Sequence, residues 1–261
     1  MTDLADRVAL VTGSSAGLGL AAAQALAARG ARVAISSRGS ERLETARQRL
    51  AQTGAEVVAV QADVRQLHDL EELVDEVEET LGPIDIVVPN GGGPVAKPAL
   101  ELDEADWQAS IDLAFLFVPR LCRLVVPGMI RRSWGRIVAI NSVSSRQPIP
   151  GLAISNALRP GVLGYLKTLA LEVAASGVTV NAVLPGYTRT DRQIELAQMR
   201  AEQTGGDFDE ILSAPAADTA IGRLAEPSEI GSVVGFLSSP EASYVTGQSI
   251  LVEGGAVKGL F

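Results

Sequence analysis

The stretch Thr12-Gly13-Ser14-Ser15-Ala16-Gly17-Leu18-Gly19 decides how this chain is read. It follows a short apolar run, Val8-Ala9-Leu10-Val11, and opens an alanine-rich segment from Leu20 to Ala28. Glycines at 13, 17 and 19 let the backbone turn sharply between a buried strand and a helix and approach a ligand closely. The free amides and positive end of that helix then favour a pyrophosphate. The strand–turn–helix context predicts a dinucleotide site, with Ser15 and Leu18 among its contacts, rather than a plain tight turn.

Outward from that turn, short β-branched runs alternate with amphipathic segments. Val8–Val11, Arg32–Ser36, Val57–Val60, Ile84–Val88, Arg136–Ile140, Val178–Val183 and Ser249–Val252 read as buried strands. Leu20–Ala28, Glu41–Gln52, Leu67–Leu81 and Gly161–Ala175 read as helices. The alternation predicts an α/β domain spanning residues 1–261, with right-handed crossovers and a parallel sheet covered on both faces. One stretch breaks the rhythm: residues 190–227 are helical and polar, with Gly205-Gly206 and Pro215 as interruptions. A long insertion after a strand end predicts a substrate lid. Its Ile194, Leu196, Met199, Phe208, Ile211 and Leu212 predict an apolar pocket beneath it, or the packing of the lid onto the domain.

Composition narrows the partners. At 47% hydrophobic residues, the chain can bury both faces of such a sheet. Its 22 Lys and Arg against 31 Asp and Glu leave a net charge of −9, which disfavours nucleic acid and anionic membranes as partners. Met1 to Arg7 has neither a cationic leader nor an apolar segment, and no later stretch is expected to span a membrane. With one cysteine, Cys122, a reducing cytoplasm is the expected compartment. With one histidine, His68, no histidine-based metal site or triad is expected, and no metal is assigned.

The glycine spacing is one of several features that resemble the short-chain dehydrogenase/reductase (SDR) family. The others are Ala62-Asp63-Val64, Asn90-Gly91-Gly92, Ser142, Asn181, Pro185-Gly186 with Thr190, and the closing Val245-Thr246-Gly247-Gln248 and Gly254-Gly255. They come in the family's order from about Arg7 to Gly255. The resemblance implies a Rossmann-type, doubly wound sheet in the order 3-2-1-4-5-6-7, with the cofactor across the carboxyl ends of the strands. It implies that Asp63 receives the adenine amino group with the Val64 backbone beside it. Asn90 and Gly91 fall in the family's Asn-Asn-Ala-Gly segment, with Pro89 replacing its first Asn. Pro185, Gly186 and Thr190 fall in the segment that holds the nicotinamide carboxamide. The second strand ends Ser36-Ser37-Arg38, without the acid that grips a ribose 2′-hydroxyl and with a guanidinium fork suited to phosphate. NADP(H) is therefore preferred, with NAD(H) as the second choice.

By the same resemblance, Ser142 matches the family's catalytic Ser, while Ser155, Arg159 and Asp112 occupy the Tyr, Lys and Asn positions. An unassisted Ser hydroxyl is too weak an acid to replace Tyr, and Arg holds its proton too firmly to relay it. At i and i+4, Ser155 and Arg159 would share a helix face. Pro160 would break that face, so the helix is expected to begin late or kink near Ser155. Tyr187, directly after Pro185-Gly186 and close to Arg189, is the replacement proton donor or a wall of the substrate pocket. Tyr165 would lie on a helix running away from the site, and Tyr244 reads as structural. The expected function is an NAD(P)(H)-dependent oxidoreductase acting on an apolar carbonyl or secondary alcohol. The alternative is an inactive NADP(H)-binding sensor or scaffold. The resemblance also implies a homotetramer or homodimer built through the helices bearing Cys122 and Arg159 and the last strand, with Leu260-Phe261 docking on a neighbour.

Overall fold

The computed structural model of the chain describes residues 2–259; the expected contact of Leu260 and Phe261, and the side chain of Leu196, lie outside the described residues. The strands are β1 (Val8–Thr12), β2 (Arg32–Ser37), β3 (Val57–Gln61), β4 (Ile86–Val88), β5 (Gly135–Ile140), β6 (Val178–Pro185) and β7 (Ser249–Val252). They form one sheet in the order β3-β2-β1-β4-β5-β6-β7, every pairing parallel. All the apolar runs read from the sequence are strands. The order reverses at β1 and β4, where the carboxyl ends of adjacent strands part and open a crevice.

The helices are α1 (Gly17–Ala28), α2 (Ser40–Ala51), α3 (Leu67–Leu81), α4 (Glu104–Ile111), α5 (Phe117–Arg131), α6 (Ala153–Val173), α7 (Asp191–Thr204), α8 (Phe208–Ser213) and α9 (Pro227–Ser238). Side chains that alternate along each strand feed two cores. Val8, Leu10, Val87 and Ile137 face α3, α5 and α6, whereas Ala9, Val11, Ile86 and Val138 face α1, α2 and α9. Both faces of the sheet are therefore dry, which accounts for runs of Val, Ile and Ala without polar alternation.

Two expectations are corrected. A π-helical turn at Asp112–Leu116 joins α4 to α5, and the resulting Glu104–Arg131 rod is long and apolar enough to cross a membrane by length and composition. Half of its most apolar window is buried within the protein, where Phe117, Leu121, Val125 and Met129 pack under the sheet. Its apolarity is that of a core helix.

The second correction concerns α6, which neither starts late nor breaks. It begins at Ala153, ahead of Ser155, and runs as one helix through Pro160 to Val173. Pro160 removes an amide that the Asn156 carbonyl would otherwise accept from. Side chains outside the helical ladder hold the turn instead. Asn156 donates through Nδ2 to the Ile149 carbonyl at 2.9 Å and accepts the Ile149 amide at 3.0 Å. From the end of β5, Asn141 donates through Nδ2 to the Arg159 carbonyl at 3.0 Å.

Between β6 and α9 the chain makes the helical excursion read from the sequence. A parallel bridge, Thr188 to Ala225, closes its base. Left-handed Gly205 ends α7, and Asp207 caps α8 by accepting the Glu210 amide.

Replacing Pro160 with Ala restores the missing amide inside an already anchored helix. Pro160→Ala is expected to stabilise the chain by about 1–3 kcal/mol, read from the denaturant midpoint at constant m-value. An unchanged midpoint means that the tertiary anchors fully offset the proline.

Candidate active site

The crevice is floored by the glycine turn. Gly13 and Gly17 are left-handed, with φ of 58° and 56°. A Cβ on Gly19 would lie 2.3 Å from the Gly13 carbonyl oxygen, and one on Gly13 would lie 2.6 Å from that of Asn90. No side chain fits at either position. Asn90 clamps the turn by donating through Nδ2 to the Gly13 carbonyl at 2.9 Å. Its backbone amide donates to Thr12 Oγ1 at 2.9 Å, and that hydroxyl donates to the Asn90 carbonyl at 3.0 Å. Pro89, which lacks an amide, follows the short β4, and its carbonyl accepts the Ile140 amide.

Above the turn lies a cleft of about 440 Å³ lined by Gly13, Ser15, Arg38, Val64, Asn90 and Gly91, with Arg42 beside Arg38. Arg42 escaped the sequence reading. Its signal was the spacing from Arg38, four residues on and across the start of α2. Leu18 turns inward and packs on the α1 side of the core. Asp63 is already engaged: Arg65 donates to it through Nε at 2.9 and 3.0 Å and through Nη2 at 2.5 Å. That guanidinium holds the Asp63 carboxyl below the usual carboxylate range. Pro185 ends β6, Gly186 donates its amide to the Val252 carbonyl, and Thr190 caps α7. Thr190 Cγ2 also stands 3.6 Å from where a Cβ on Gly17 would be, so the segment after β6 meets the glycine turn. The cradle without side chains, the open helix end and the paired arginines fit a dinucleotide phosphate chain.

At the other end of the crevice, the structure joins three serines. Ser142 Oγ accepts the Ser144 amide at 3.1 Å, and Ser144 and Ser155 share a hydroxyl–hydroxyl bond of 2.9 Å. Ser144 was missed because a Ser-Val-Ser-Ser run gives no sign of which hydroxyl turns inward. Arg159, one turn beyond Ser155, is 7% exposed and has no carboxylate partner among the described residues. Its Nη2 reaches the Gly92 carbonyl at a long 3.5 Å, and its Nε is sealed with no acceptor. Burial lowers its pKa to about 10.

Asp112 does not join this group. It lies at the π-helical turn and pairs with Arg120, whose Nη1 is 2.8 Å from its carboxylate and 3.0 Å from the Arg65 carbonyl. Tyr187 is half-buried and lines a cavity of about 190 Å³ with Val143, Gln147, Gly186, Asp218 and Lys258. Tyr165 packs against the core, where burial pushes its phenol up, while the Cys122 thiol beside it is pushed up to about 12, chiefly by burial.

Comparison with known proteins agrees with this geometry. Residues 13–257 match the family described as enoyl-(acyl carrier protein) reductase. A 3-oxoacyl-(acyl-carrier-protein) reductase of Synechocystis sp. is 36% identical over 259 residues, covering 98% of this chain and 99% of that one. L-sorbose reductase from Gluconobacter frateurii, solved with NADPH and L-sorbose, superposes with a TM-score of 0.95 at 33% identity, covering 98% of each chain. A single-substitution variant of actinorhodin polyketide ketoreductase, solved with NADPH, gives 0.91 at 35% identity, covering 97% of this chain and 98% of its own. The chain belongs to the short-chain dehydrogenase/reductase family of oxidoreductases.

A buried cation without a counter-charge destabilises the chain that carries it. Arg159→Met is therefore expected to raise stability in the absence of cofactor by about 1–4 kcal/mol near pH 7. The folded pKa lies below the unfolded one, so below pH 10 both states hold the proton and the penalty is constant. Above about pH 10 the folded state releases the proton first, and the wild type regains stability relative to the variant. Denaturant melts of both proteins from pH 7 to 11 check the sign; a gap that is constant or widens contradicts it.

Proposed function

We propose that the chain is an NADP(H)-dependent oxidoreductase of a carbonyl or secondary alcohol, with a degenerate catalytic tetrad. Ser142 is kept, and Ser155, Arg159 and Asp112 replace Tyr, Lys and Asn. The observation that carries the proposal is Arg159. A binding scaffold has no need of a buried guanidinium without a counter-charge beside the Gly92 loop, whereas a site that orders ribose hydroxyls and a developing oxyanion does. NADP(H) is preferred because Arg38 and Arg42 both border the cleft where a 2′-phosphate would sit, and no acid follows β2. NAD(H) is the weaker alternative.

When bound, the cofactor supplies or accepts a hydride at the substrate carbon. The protein's own groups do the rest. Ser142 directs its hydroxyl at the substrate oxygen, and the Ser144–Ser155 pair fixes the Ser142 loop against α6. Arg159 holds positive charge at the site without giving up its proton at neutral pH. Tyr187, the phenol lining the adjacent cavity, is the candidate donor. Loss of a positioned acid costs roughly 10²–10⁴ in rate, so turnover through these groups is slow unless Tyr187 supplies the proton.

The 190–227 excursion acts as the lid. The relatives are named as reductases of 3-oxoacyl-(acyl carrier protein), L-sorbose and a polyketide, so their names support a carbonyl substrate without selecting one. Val143, Pro148, Ile149 and Pro150 give the small cavity apolar walls, while Gln147, Asp218 and Lys258 add a polar rim. Assembly as a homodimer or homotetramer is supported by the exposed Leu171 of α6, Ile130 of α5 and Leu251 of β7. A cytoplasmic setting suits the single buried, free Cys122.

The test is NADPH binding followed by absorbance at the nicotinamide band across an aldehyde and ketone panel. Arg38→Ala and Arg42→Ala are each expected to weaken NADPH binding by about tenfold or more while leaving NADH unchanged. Tyr187→Phe is expected to lower kcat by roughly 10²-fold with KM little moved; full turnover would remove Tyr187 as the acid and leave it as a wall. Ser155→Tyr combined with Arg159→Lys is expected to raise carbonyl reduction by about 10²-fold or more. Tight NADPH binding with no oxidation by any panel member, in the wild type or that double variant, would favour the scaffold instead.

A further inference from the structure

A second cleft, of about 700 Å³, opens at the amino ends of β5 and β6, the opposite edge of the sheet from the glycine turn. Its lining includes Trp134, Arg136, Val178, Thr179, Pro240 and Tyr244. Arg136 is only 4% exposed, yet no carboxylate pairs with it among the described residues. Its Nη1 is spent on the carbonyls of Gly135 at 2.8 Å and Gly177 at 3.3 Å. Its Nε is sealed without an acceptor, closed to a ligand as to water, and the hydrogen bonds the side chain makes among the described residues all leave from Nη1. With Nε out of reach, Nη2 is the corner of the guanidinium left to a ligand, as a single charge-assisted donor.

The surroundings add to the deficit. A second cation, Arg7, lies 3.9 Å from the Trp134 ring centroid, and the Arg136 guanidinium lies 4.4 Å from the same centroid. Arg7 has Asp85 at 3.5 Å, whereas Arg136 has no anion among the described residues. Thr179, the register partner of Arg136 on β6, has a sealed hydroxyl with no partner among them. Ser133 lines the same cleft in a left-handed conformation (φ 53°), where glycine is the usual choice. Trp134, Val178 and Pro240 form apolar walls, and Tyr244 stands fully exposed.

We infer that this cleft is a second ligand site, separate from the catalytic crevice, for a small organic acid. Its carboxylate would lie against Nη2 of Arg136, and its apolar body against Trp134, Val178 and Tyr244. The cleft lies among the loops that lead into β5, β6 and β7, and none of its lining belongs to the nucleotide turn or the serine cluster.

The test uses the full chain carrying Trp107→Phe, which leaves Trp134 as the sole tryptophan reporter. Benzoate, hexanoate, acetate and inorganic phosphate are titrated separately and followed by Trp134 fluorescence. Benzoate and hexanoate are expected to bind and shift the signal, acetate and phosphate to bind at least tenfold more weakly. Arg136→Gln is expected to weaken benzoate about tenfold or more, and Arg38→Ala in the nucleotide cleft to leave it unchanged. Tyr244→Ala, a surface change that keeps the fold, is expected to weaken benzoate and hexanoate severalfold and serves if Arg136→Gln does not fold. Failure of both acids to bind at millimolar concentration overturns the inference, as does phosphate matching benzoate. Benzoate affinity unmoved in Arg136→Gln or Tyr244→Ala, or lost in Arg38→Ala, also overturns it.

Discussion

The clamp between Asn90 and the Gly13 turn is the constraint on which the remaining architecture hangs. It ties the carboxyl end of β1 to that of β4 at the point where the strand order reverses. The approach is so close that a Cβ at residue 13 or 19 would overlap backbone atoms. With the turn fixed there, α1 must start at Gly17 with its free amides over the crevice, and β2 must deliver Arg38 to the crevice edge. Thr190 then meets Gly17 from the far side, closing the space that a dinucleotide would fill.

The opposite end of the crevice obeys a different economy of interactions. There the groups are polar and, apart from the half-buried Ser142, deeply buried, but they are joined by hydroxyls rather than by a strong acid. Ser142, Ser144 and Ser155 form a short chain, and Arg159 supplies charge without an ion-pair partner among the described residues. Asp112 is paired with Arg120 at the π-helical turn. The result is a site with a persistent positive field, held by packing at some expense of stability.

Much of this was legible in the chain, and the limits have physical causes. The strands announced themselves because both faces of the sheet are dry, so Val, Ile and Ala run on without interruption. The glycine turn was legible because only glycine fits at residues 13 and 19. Resemblance to the family carried the strand order. What the chain hid depends on contacts distant in sequence. Pro160 argues locally for a broken helix, but Asn156 bonded to Ile149 and Asn141 bonded to the Arg159 carbonyl hold α6 together. Ser144 and Arg42 gained their places only when loop and helix were folded against the crevice. Similarly, the pairing of Asp63 with Arg65 and of Asp112 with Arg120 follows from side-chain directions that spacing does not specify.

The bond from Asn141 to the Arg159 carbonyl has a wider bearing. It joins the end of β5, one residue before Ser142, to the main chain of α6 at residue 159, not to the side chain there. The distance between the two halves of the site is thus registered through peptide groups. A substitution at 159 alters the charge presented to the crevice while leaving the spacing intact, and the same separation shields residue 155. Such a frame separates the spacing of the pocket from the chemistry of the side chain carried at residue 159.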